Sequence, residues 1–384
     1  MALAALLWMG AVGWSLFQIS GAGPEDWQHP VWTRVGDLTG FAAISADPSQ
    51  GRHGVMRLLC YAMLFWIAFR AAFDPVRALR MLRAIALFST ALAIYGLVAM
   101  VYGNNPILDL DGRAEIVNAS FVSRNAYATY AVFGCLANIA CYLKSSAIAG
   151  HNETPLQRLR NYLESFFAGS WVFLLGAVIC LVAVAATQSR AGAGAGLIGL
   201  LTLFATHRFR GRGNGIVLTI TLIFIIGFVV WTSSSGVTHR FLATSAESHR
   251  FAVYPQIIAA ILERPWLGHG LGAFHDGFRA YLPIGSAGAE WHLAHSSYLE
   301  NGFELGLPAA AAFYLALSII GLRIWQGSRR RRRNRVFTCF ALACFMAAAF
   351  HAIFDFSLQM PATASLFAMI LGIGWAQSLS RSGR

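Results

Sequence analysis

His295 has a side chain that can do acid–base chemistry, and it comes just before a long apolar segment. Ser297 and Glu300 follow it with capping-box spacing, so the sequence predicts a helix that begins at Ser297. His295 would then lie beside a helix N-terminus, where free N–H groups and the helix dipole attract anions. A histidine there can take up a proton or bind an anion, and it can equally be an ordinary residue at a helix end.

Arginines at similar boundaries are candidates for binding an anion. Arg190 lies in a short turn between two apolar segments, and Arg250 opens an amphipathic stretch. Arg124 and Asn125 begin a further apolar segment. An arginine where a bilayer begins needs an anionic partner or extends its guanidinium to lipid headgroups, and both interpretations fit Arg190. For Arg250, a surface ion pair with Glu247 is the alternative.

Other chemistries find no support in the sequence. The histidines that precede His295 do not follow a zinc-binding pattern, and no HExxH motif is present. A Walker loop, a dinucleotide-binding fingerprint and a GxSxG nucleophile turn are also missing. We therefore expect neither a metal site nor a cofactor. All six cysteines lie within apolar segments, which is typical of small buried residues.

The composition defines the elements that must position these residues. Charged residues make up 12% of the 384 residues, against roughly 25% in soluble domains, and hydrophobic residues make up 57%. Several apolar runs reach the ~20 residues that a helix needs to cross a bilayer. The sequence thus predicts an all-α, polytopic transmembrane helical bundle. It excludes a soluble enzyme, a secreted disulfide scaffold and a nucleic-acid binder.

Ten apolar runs are candidate spans, and we treat residues 1–384 as a single integral membrane domain. The runs cover about 1–20, 53–73, 84–103, 120–143, 169–187, 191–207, 214–232, 297–326, 336–354 and 362–379. Basic residues cluster in short alternate loops, above all in the run Arg329–Arg333. Such clusters remain in the cytoplasm, so we expect the N-terminus to be cytoplasmic too. A further helix upstream of Met1 is compatible with this pattern.

A long segment, residues 233–294, separates spans seven and eight and falls on the periplasmic side in this orientation. Within it, Ser248–Arg264 has apolar residues at helical spacing, and the helix should end before Pro265. A glycine-punctuated turn follows, Gly268–Gly272, and then a second short amphipathic piece that reaches about Leu282. Long loops with such periodicity are usually functional.

Several short segments, taken together and in order, resemble motifs of the O-antigen ligase and O-antigen polymerase superfamily of bacterial inner-membrane glycosyltransferases. They are Ile44–Pro48, Phe121–Asn125, Ser189–Gly192, Arg250 with Glu263–Gly270, His295–Ser296 with Glu304 and Gly306, and Asp355–Phe356 with Pro361. The resemblance implies a fold like that of the C-type glycosyltransferases. It also implies a multi-pass protein of the inner membrane whose active site faces the periplasm.

The resemblance further implies a transfer reaction that needs no metal. A glycan leaves an undecaprenyl-pyrophosphate carrier and joins an acceptor, which is a lipid A-core sugar or another glycan. In the family, arginines that match Arg190 and Arg250 hold the pyrophosphate, which suits the two-pronged, permanently charged guanidinium. A histidine that matches His295 lies beside it, as general base or as a further diphosphate contact. Further substrate-binding residues are expected at Arg124, Asn125, Arg264, His269 and Glu304.

Alternatives remain at two levels. Within the superfamily, ligase and polymerase share their motifs, and a protein O-glycosyltransferase would use the same donor. Outside it, a transporter or flippase of polyprenyl-linked or small anionic solutes would also be an apolar helical bundle. Expected partners are the lipid-linked glycan donor, its acceptor and membrane lipids, and no nucleic acid. Few spans carry charges at their centres and no paired broken helices are evident, which argues against a transporter.

Overall fold

A computed structural model describes nine stretches of the chain. They are residues 1–35, 42–105, 107, 110–111, 116–146, 169–208, 245–282, 291–331 and 334–379. Within these stretches the secondary structure is helical apart from a minimal antiparallel pair in which Asn105 faces Leu110. The all-α class is therefore confirmed.

The helices are numbered here in chain order. They are α1 Ala2–Ile19, α2 Val31–Val35, α3 Pro48–Ala71, α4 Pro75–Tyr102, α5 Arg124–Ser146, α6 Trp171–Ala186, α7 Arg190–Arg208, α8 Ser245–Glu263, α9 Phe274–Phe278, α10 Ser297–Leu305, α11 Leu307–Arg330, α12 Arg335–Phe354 and α13 Pro361–Leu379. The two strands are β1 Asn104–Asn105 and β2 Leu110–Asp111. Short 3-10 turns occupy Glu25–Trp27, Arg279–Tyr281 and Ser357–Gln359.

Seven of these helices are long and apolar enough to cross a membrane, which confirms a multi-pass membrane protein. They are α1, α3, α4, α5, α11, α12 and α13. Two more predicted spans correspond to the 16-residue apolar helix α6 and the 19-residue helix α7. The predicted span 214–232 lies outside the described residues, as does the segment 233–244 that follows it.

The predicted eighth span, 297–326, is wrong as a single helix. It consists of two helices, α10 and α11, which are separated at Gly306, where φ is +76° and ψ is 159°. The apolar periodicity runs through this point, so it does not reveal the break. The candidate span proper begins with α11, and α10 precedes it.

The chain divides into two compact units, of which the first comprises residues 1–63, 235–320 and 352–356. Its aromatic core contains Phe274, Phe278 and Phe303, and Ile257 and Ile261 of α8 pack against them. α8 and α10 run side by side in the same direction. The Tyr254 hydroxyl, midway along α8, contacts the His295 carbonyl just before α10 begins, and Ile261 lies against Gly302 further along both helices.

In this first unit, a turn that we call the glycine turn, Gly268–Gly272, docks against the end of α10. The N–H of His269 donates to Phe303 O, and the N–H of Gly270 donates to Glu304 O, both at 2.9 Å. The backbone conformation is left-handed at Gly268, with φ +67°. A Cβ at residue 268 would lie 2.7 Å from the Leu305 carbonyl carbon, so only glycine fits there.

The second unit comprises residues 64–234, 321–351 and 357–384. α5 lies at its centre and is buried along its whole apolar length. α7 packs beside α5 in the same direction, with Gly192 against Ala128 near their first turns and Gly199 against Leu136 two turns later. The N-termini of α5 and α7 therefore lie at the same end of this unit.

We expect Gly268→Ala to destabilise the protein by about 2–4 kcal/mol, since it adds a left-handed non-glycine residue to a backbone clash. The measurement is the midpoint of thermal unfolding in detergent. Gly13→Ala in α1 is the control, because a Cβ there meets nothing within 4 Å. Equal midpoints for the two variants would show that the glycine turn does not require a glycine at this position.

Candidate functional site

His295 lies just before α10 in a left-handed conformation, with φ +51°. Such a conformation costs about 1–3 kcal/mol for a non-glycine residue and persists where the surroundings hold it. The Tyr254 hydroxyl donates to the His295 carbonyl at 2.9 Å. The imidazole ring lies 5.0 Å from the Phe356 ring and 5.8 Å from the Trp291 ring, between centroids. The half-buried ring is thus held on two sides, at the start of a helix.

The predicted start of this helix at Ser297 is confirmed, but the predicted capping box is wrong. Ser296 is the N-cap and makes no side-chain capping bond. The Ser297 hydroxyl instead donates to the Asp355 carbonyl at 3.2 Å. The Glu300 carboxyl reaches past the cap and accepts from the Ala294 N–H at 2.9 Å. Both side chains therefore bind segments that the local spacing does not include.

Glu300 and Glu304 form a buried acidic pair one turn apart on α10. Burial raises the pKa of Glu304 to about 7, although the amides of Gly272 and Phe274 lower it in part. Burial, together with the neighbouring Glu304, raises the pKa of Glu300 well above its ordinary value. Both carboxyl groups therefore keep a proton to higher pH than exposed glutamates do. Glu304 is nine residues from His295, about 13 Å along a helix, so it does not lie beside that ring.

His269 is fully buried and uses both ring nitrogens within the protein. Its Nε2 lies 3.1 Å from the Ala260 carbonyl and its Nδ1 lies 2.9 Å from His29 Nε2. The Val31 N–H donates to His29 Nδ1, so one arrangement of protons satisfies the whole chain with both histidines neutral. The His269 ring also stacks on Phe303 at 4.0 Å between centroids. Burial, the largest cause, lowers the pKa of His269 to about 4.

Arg264 directs its guanidinium to backbone carbonyls. Nη2 donates to Trp27 O at 2.6 Å, Nη1 to Gln28 O at 3.1 Å and Nε to Gly268 O at 3.1 Å. Arg264 thereby connects the segment after α1 to the glycine turn. Its predicted role in substrate binding, like those of His269 and Glu304, remains a prediction, whereas these contacts show a structural role.

The second unit contains the remaining described candidates. Arg124 and Arg190 are the first residues of α5 and α7, whose N-termini lie at the same end of the unit. Ser189 caps α7, because its hydroxyl accepts from the Gly192 N–H at 3.1 Å. The Asn125 carbonyl accepts from the hydroxyls of Thr129 and Ser357, both at 3.3 Å. Two arginines thus accompany two helix N-termini, an arrangement that attracts anions.

Arg250 belongs to α8, within Ser245–Glu263. Its predicted role depends on its side chain, which lies outside the described part of the structure. The predicted end of the amphipathic helix before Pro265 is confirmed, since α8 ends at Glu263.

The comparison that bears on identity is with protein families. Residues 175–314 match the family model described as O-antigen ligase. The resemblance to the O-antigen ligase and polymerase superfamily is thereby confirmed. No curated protein matches the chain. The match begins in α6 and ends in α11, so it includes Arg190, the whole of α8 and His295, and it leaves Arg124 and Asn125 outside.

The O-antigen ligase match supports a glycosyltransferase-like role in the assembly of surface polysaccharide. It implies lipid-linked glycan and acceptor substrates in general terms. The sequence predicts a capping role for Glu300 and an amphipathic helix around Tyr254, but it does not predict the contact of Glu300 with Ala294 or that of Tyr254 with His295. The sequence does contain one signal of a buried acidic pair, because Glu300 and Glu304 are two acids one helical turn apart before an apolar span.

We expect His269 to make the protein less stable in acid. The folded protein keeps His269 neutral down to about pH 4, whereas the unfolded chain takes up a proton near its ordinary pKa of 6.5. Its contribution is therefore complete above pH 6.5 and is lost as the pH falls from 6.5 towards 4, by at most about 3 kcal/mol. The contribution of Glu304 has the opposite sign, because its raised pKa favours the folded state at low pH.

The measurement is the thermal midpoint in detergent at about pH 7 and about pH 5, for the wild type and for His269→Gln. The comparison isolates His269, because Glu304 is present in both proteins. The wild type should lose more stability than the variant between these two pH values. An identical change in both proteins would contradict the assignment.

Proposed function

We propose that this protein transfers a glycan from a polyprenyl-pyrophosphate carrier to an acceptor hydroxyl at the periplasmic face of the bacterial inner membrane. The observation that carries the proposal is His295, held in a left-handed conformation at the start of α10 within the O-antigen ligase match. The carrier is undecaprenyl pyrophosphate in our proposal, as the family resemblance implies. The acceptor is a lipid A-core sugar for a ligase, or the end of another glycan for a polymerase.

In the proposed reaction the acceptor oxygen attacks the anomeric carbon of the donor sugar. The bond from that carbon to the pyrophosphate oxygen breaks, and the pyrophosphate leaves with the electron pair. His295 takes up the proton that the acceptor hydroxyl loses. Negative charge grows on the leaving oxygen, and a guanidinium stabilises it through paired N–H bonds. We assign this role to Arg190 and Arg250.

The arrangement around Arg190 supports this role. The residue begins a helix whose first turn is capped by Ser189 and is pressed against α5 at Gly192, so the position of its backbone is well defined. A helix N-terminus adds a favourable field for phosphate. Arg124 and Asn125, at the start of α5, are proposed to bind the carrier or its first sugar. Substrate binding by Arg264, His269 and Glu304 stays a prediction, beside the contacts that these residues make within the first unit.

Purified protein in detergent, incubated with an undecaprenyl-pyrophosphate glycan and an acceptor, tests the function. We expect release of undecaprenyl pyrophosphate without any membrane gradient. Mass analysis of the product distinguishes the acceptors, which are lipid A-core, a second glycan chain or a peptide. Uptake of intact donor into vesicles, with no release of pyrophosphate in any reaction, would instead identify a transporter or flippase and refute the proposal.

The shape of the guanidinium should matter at Arg190 and Arg250. Lysine keeps the positive charge but does not reproduce the two-pronged donor, so each Arg→Lys change should lower the transfer rate by about 10-fold or more. The measurement is the initial rate at saturating acceptor and matched protein level. Arg279→Lys is the control, since Arg279 is an exposed arginine in the same long segment as Arg250. Wild-type rates in both Arg190→Lys and Arg250→Lys would remove these residues from the mechanism.

His295→Ala should lower the transfer rate by about 10²–10⁴-fold if the ring is the general base, and by less if it only contacts phosphate. Expression and membrane insertion should be preserved, because the Ala294–Glu300 bond remains. His295→Gln separates the two roles, since glutamine can donate a hydrogen bond to phosphate but cannot take up a proton. A near-normal rate in His295→Ala at saturating donor would leave His295 an ordinary residue at a helix end.

A further inference from the structure

The loop before α10 places His295 in a conformation that the chain would not adopt by itself. With φ at +51°, the residue lies in the left-handed region that favours glycine. The groups that hold it there determine the direction of the imidazole ring. They are therefore candidates for residues that act through His295 without touching a substrate.

Glu300 holds this loop from the N-terminal side. Its Oε2 accepts from the N–H of Ala294, the residue directly before His295, at 2.9 Å. Glu300 is 1% exposed and Ala294 is fully buried, so this bond has no competition from water. The acceptor oxygen approaches from inside the first turn of the helix that His295 precedes.

Two further contacts hold the other side of the loop. The Tyr254 hydroxyl binds the His295 carbonyl, and the Ser297 hydroxyl binds the Asp355 carbonyl. Glu300 is distinct among these holding groups because it is an acid in a buried position. A well-packed apolar side chain of similar volume is often at least as good for stability as a buried ionisable group. The benefit of the carboxyl thus lies in the geometry of the loop.

We propose that Glu300 is a positioning residue for His295: by accepting the Ala294 N–H, it keeps the loop in the left-handed conformation that directs the imidazole ring to the acceptor hydroxyl. This inference rests on the proposed function of His295. The bond requires an acceptor oxygen and no negative charge, because the donor is a neutral amide. Glutamine should therefore replace Glu300, and an apolar residue of the same size should not.

Three variants of the full-length protein test the proposal. Glu300→Leu removes the acceptor at similar volume, and Glu300→Gln keeps an acceptor oxygen. Gln377→Leu in α13 is the matched control, because Gln377 is also 1% exposed and loses one side-chain bond to a backbone group, Ala72 O at 2.6 Å. If Glu300→Leu does not reach the membrane, Glu300→Met replaces it, since methionine also lacks the acceptor and adapts its shape more easily.

Two quantities are measured for each variant. The first is kcat and the KM for the lipid-linked donor. The second is the rate at which diethyl pyrocarbonate modifies His295, followed on the peptide by mass spectrometry. A general loss of stability would not separate kcat from KM or act on one histidine alone. The modification rate also needs no transfer activity, so it tests the position of His295 even if the proposed function fails.

Glu300→Leu should lower kcat by about 10- to 100-fold with little change in the donor KM, and should alter the modification rate of His295 several-fold. Glu300→Gln and Gln377→Leu should remain close to the wild type in both measurements. The proposal is overturned if Glu300→Leu keeps the wild-type kcat and modification rate, or if Glu300→Gln or Gln377→Leu loses as much as Glu300→Leu. Activity in His295→Ala would refute the role of His295, and an unchanged modification rate in Glu300→Leu would refute the positioning role by itself.

Discussion

The packing of the first unit depends on the last carbonyl groups of α10, which require hydrogen-bond donors. A helix that ends beside a membrane span leaves these groups without partners inside the helix, and lipid offers none. Here Phe303 O and Glu304 O accept from the amides of the glycine turn, and Leu305 O accepts from the Trp14 indole at 2.9 Å. Gln18 adds a second donor to Glu304 O at 3.0 Å. Satisfying one helix end thus brings together α1, the long segment and the start of α11.

Features determined by neighbouring residues could be predicted from the sequence, and features determined by distant ones could not. Pro265 ends α8, and the apolar run after Ser297 marks the start of α10, because both effects are local. The break at Gly306 is different: the backbone there is held by the Leu307 N–H, which donates to Pro265 O across more than forty residues. The spacing of Ser297 and Glu300 indicates a cap, but both side chains have partners outside the motif.

The roles of the charged residues likewise could not be predicted from the sequence alone. In the sequence, an arginine that binds a phosphate looks the same as an arginine that binds backbone carbonyl groups. Arg264 bonds three carbonyls, whereas Arg190 begins a capped helix at the same end of its unit as Arg124. His269 is a member of a motif, yet its ring is buried with both nitrogens occupied. The family resemblance identifies the motifs, and the structure shows the contacts by which Arg264 and His269 maintain the fold.

The contacts just before the glycine turn also determine which parts of the chain must be kept together. The long segment, residues 233–294, has the position of an insertion between two predicted spans. Leu267, just before the glycine turn, nevertheless accepts from the Gln18 side chain at its carbonyl at 2.7 Å, and Arg264 donates to the backbone after α1. A chimera that transplants this segment alone would separate it from partners more than two hundred residues away. A chimera that moves the long segment must therefore also carry the end of α1 if these contacts are to be kept.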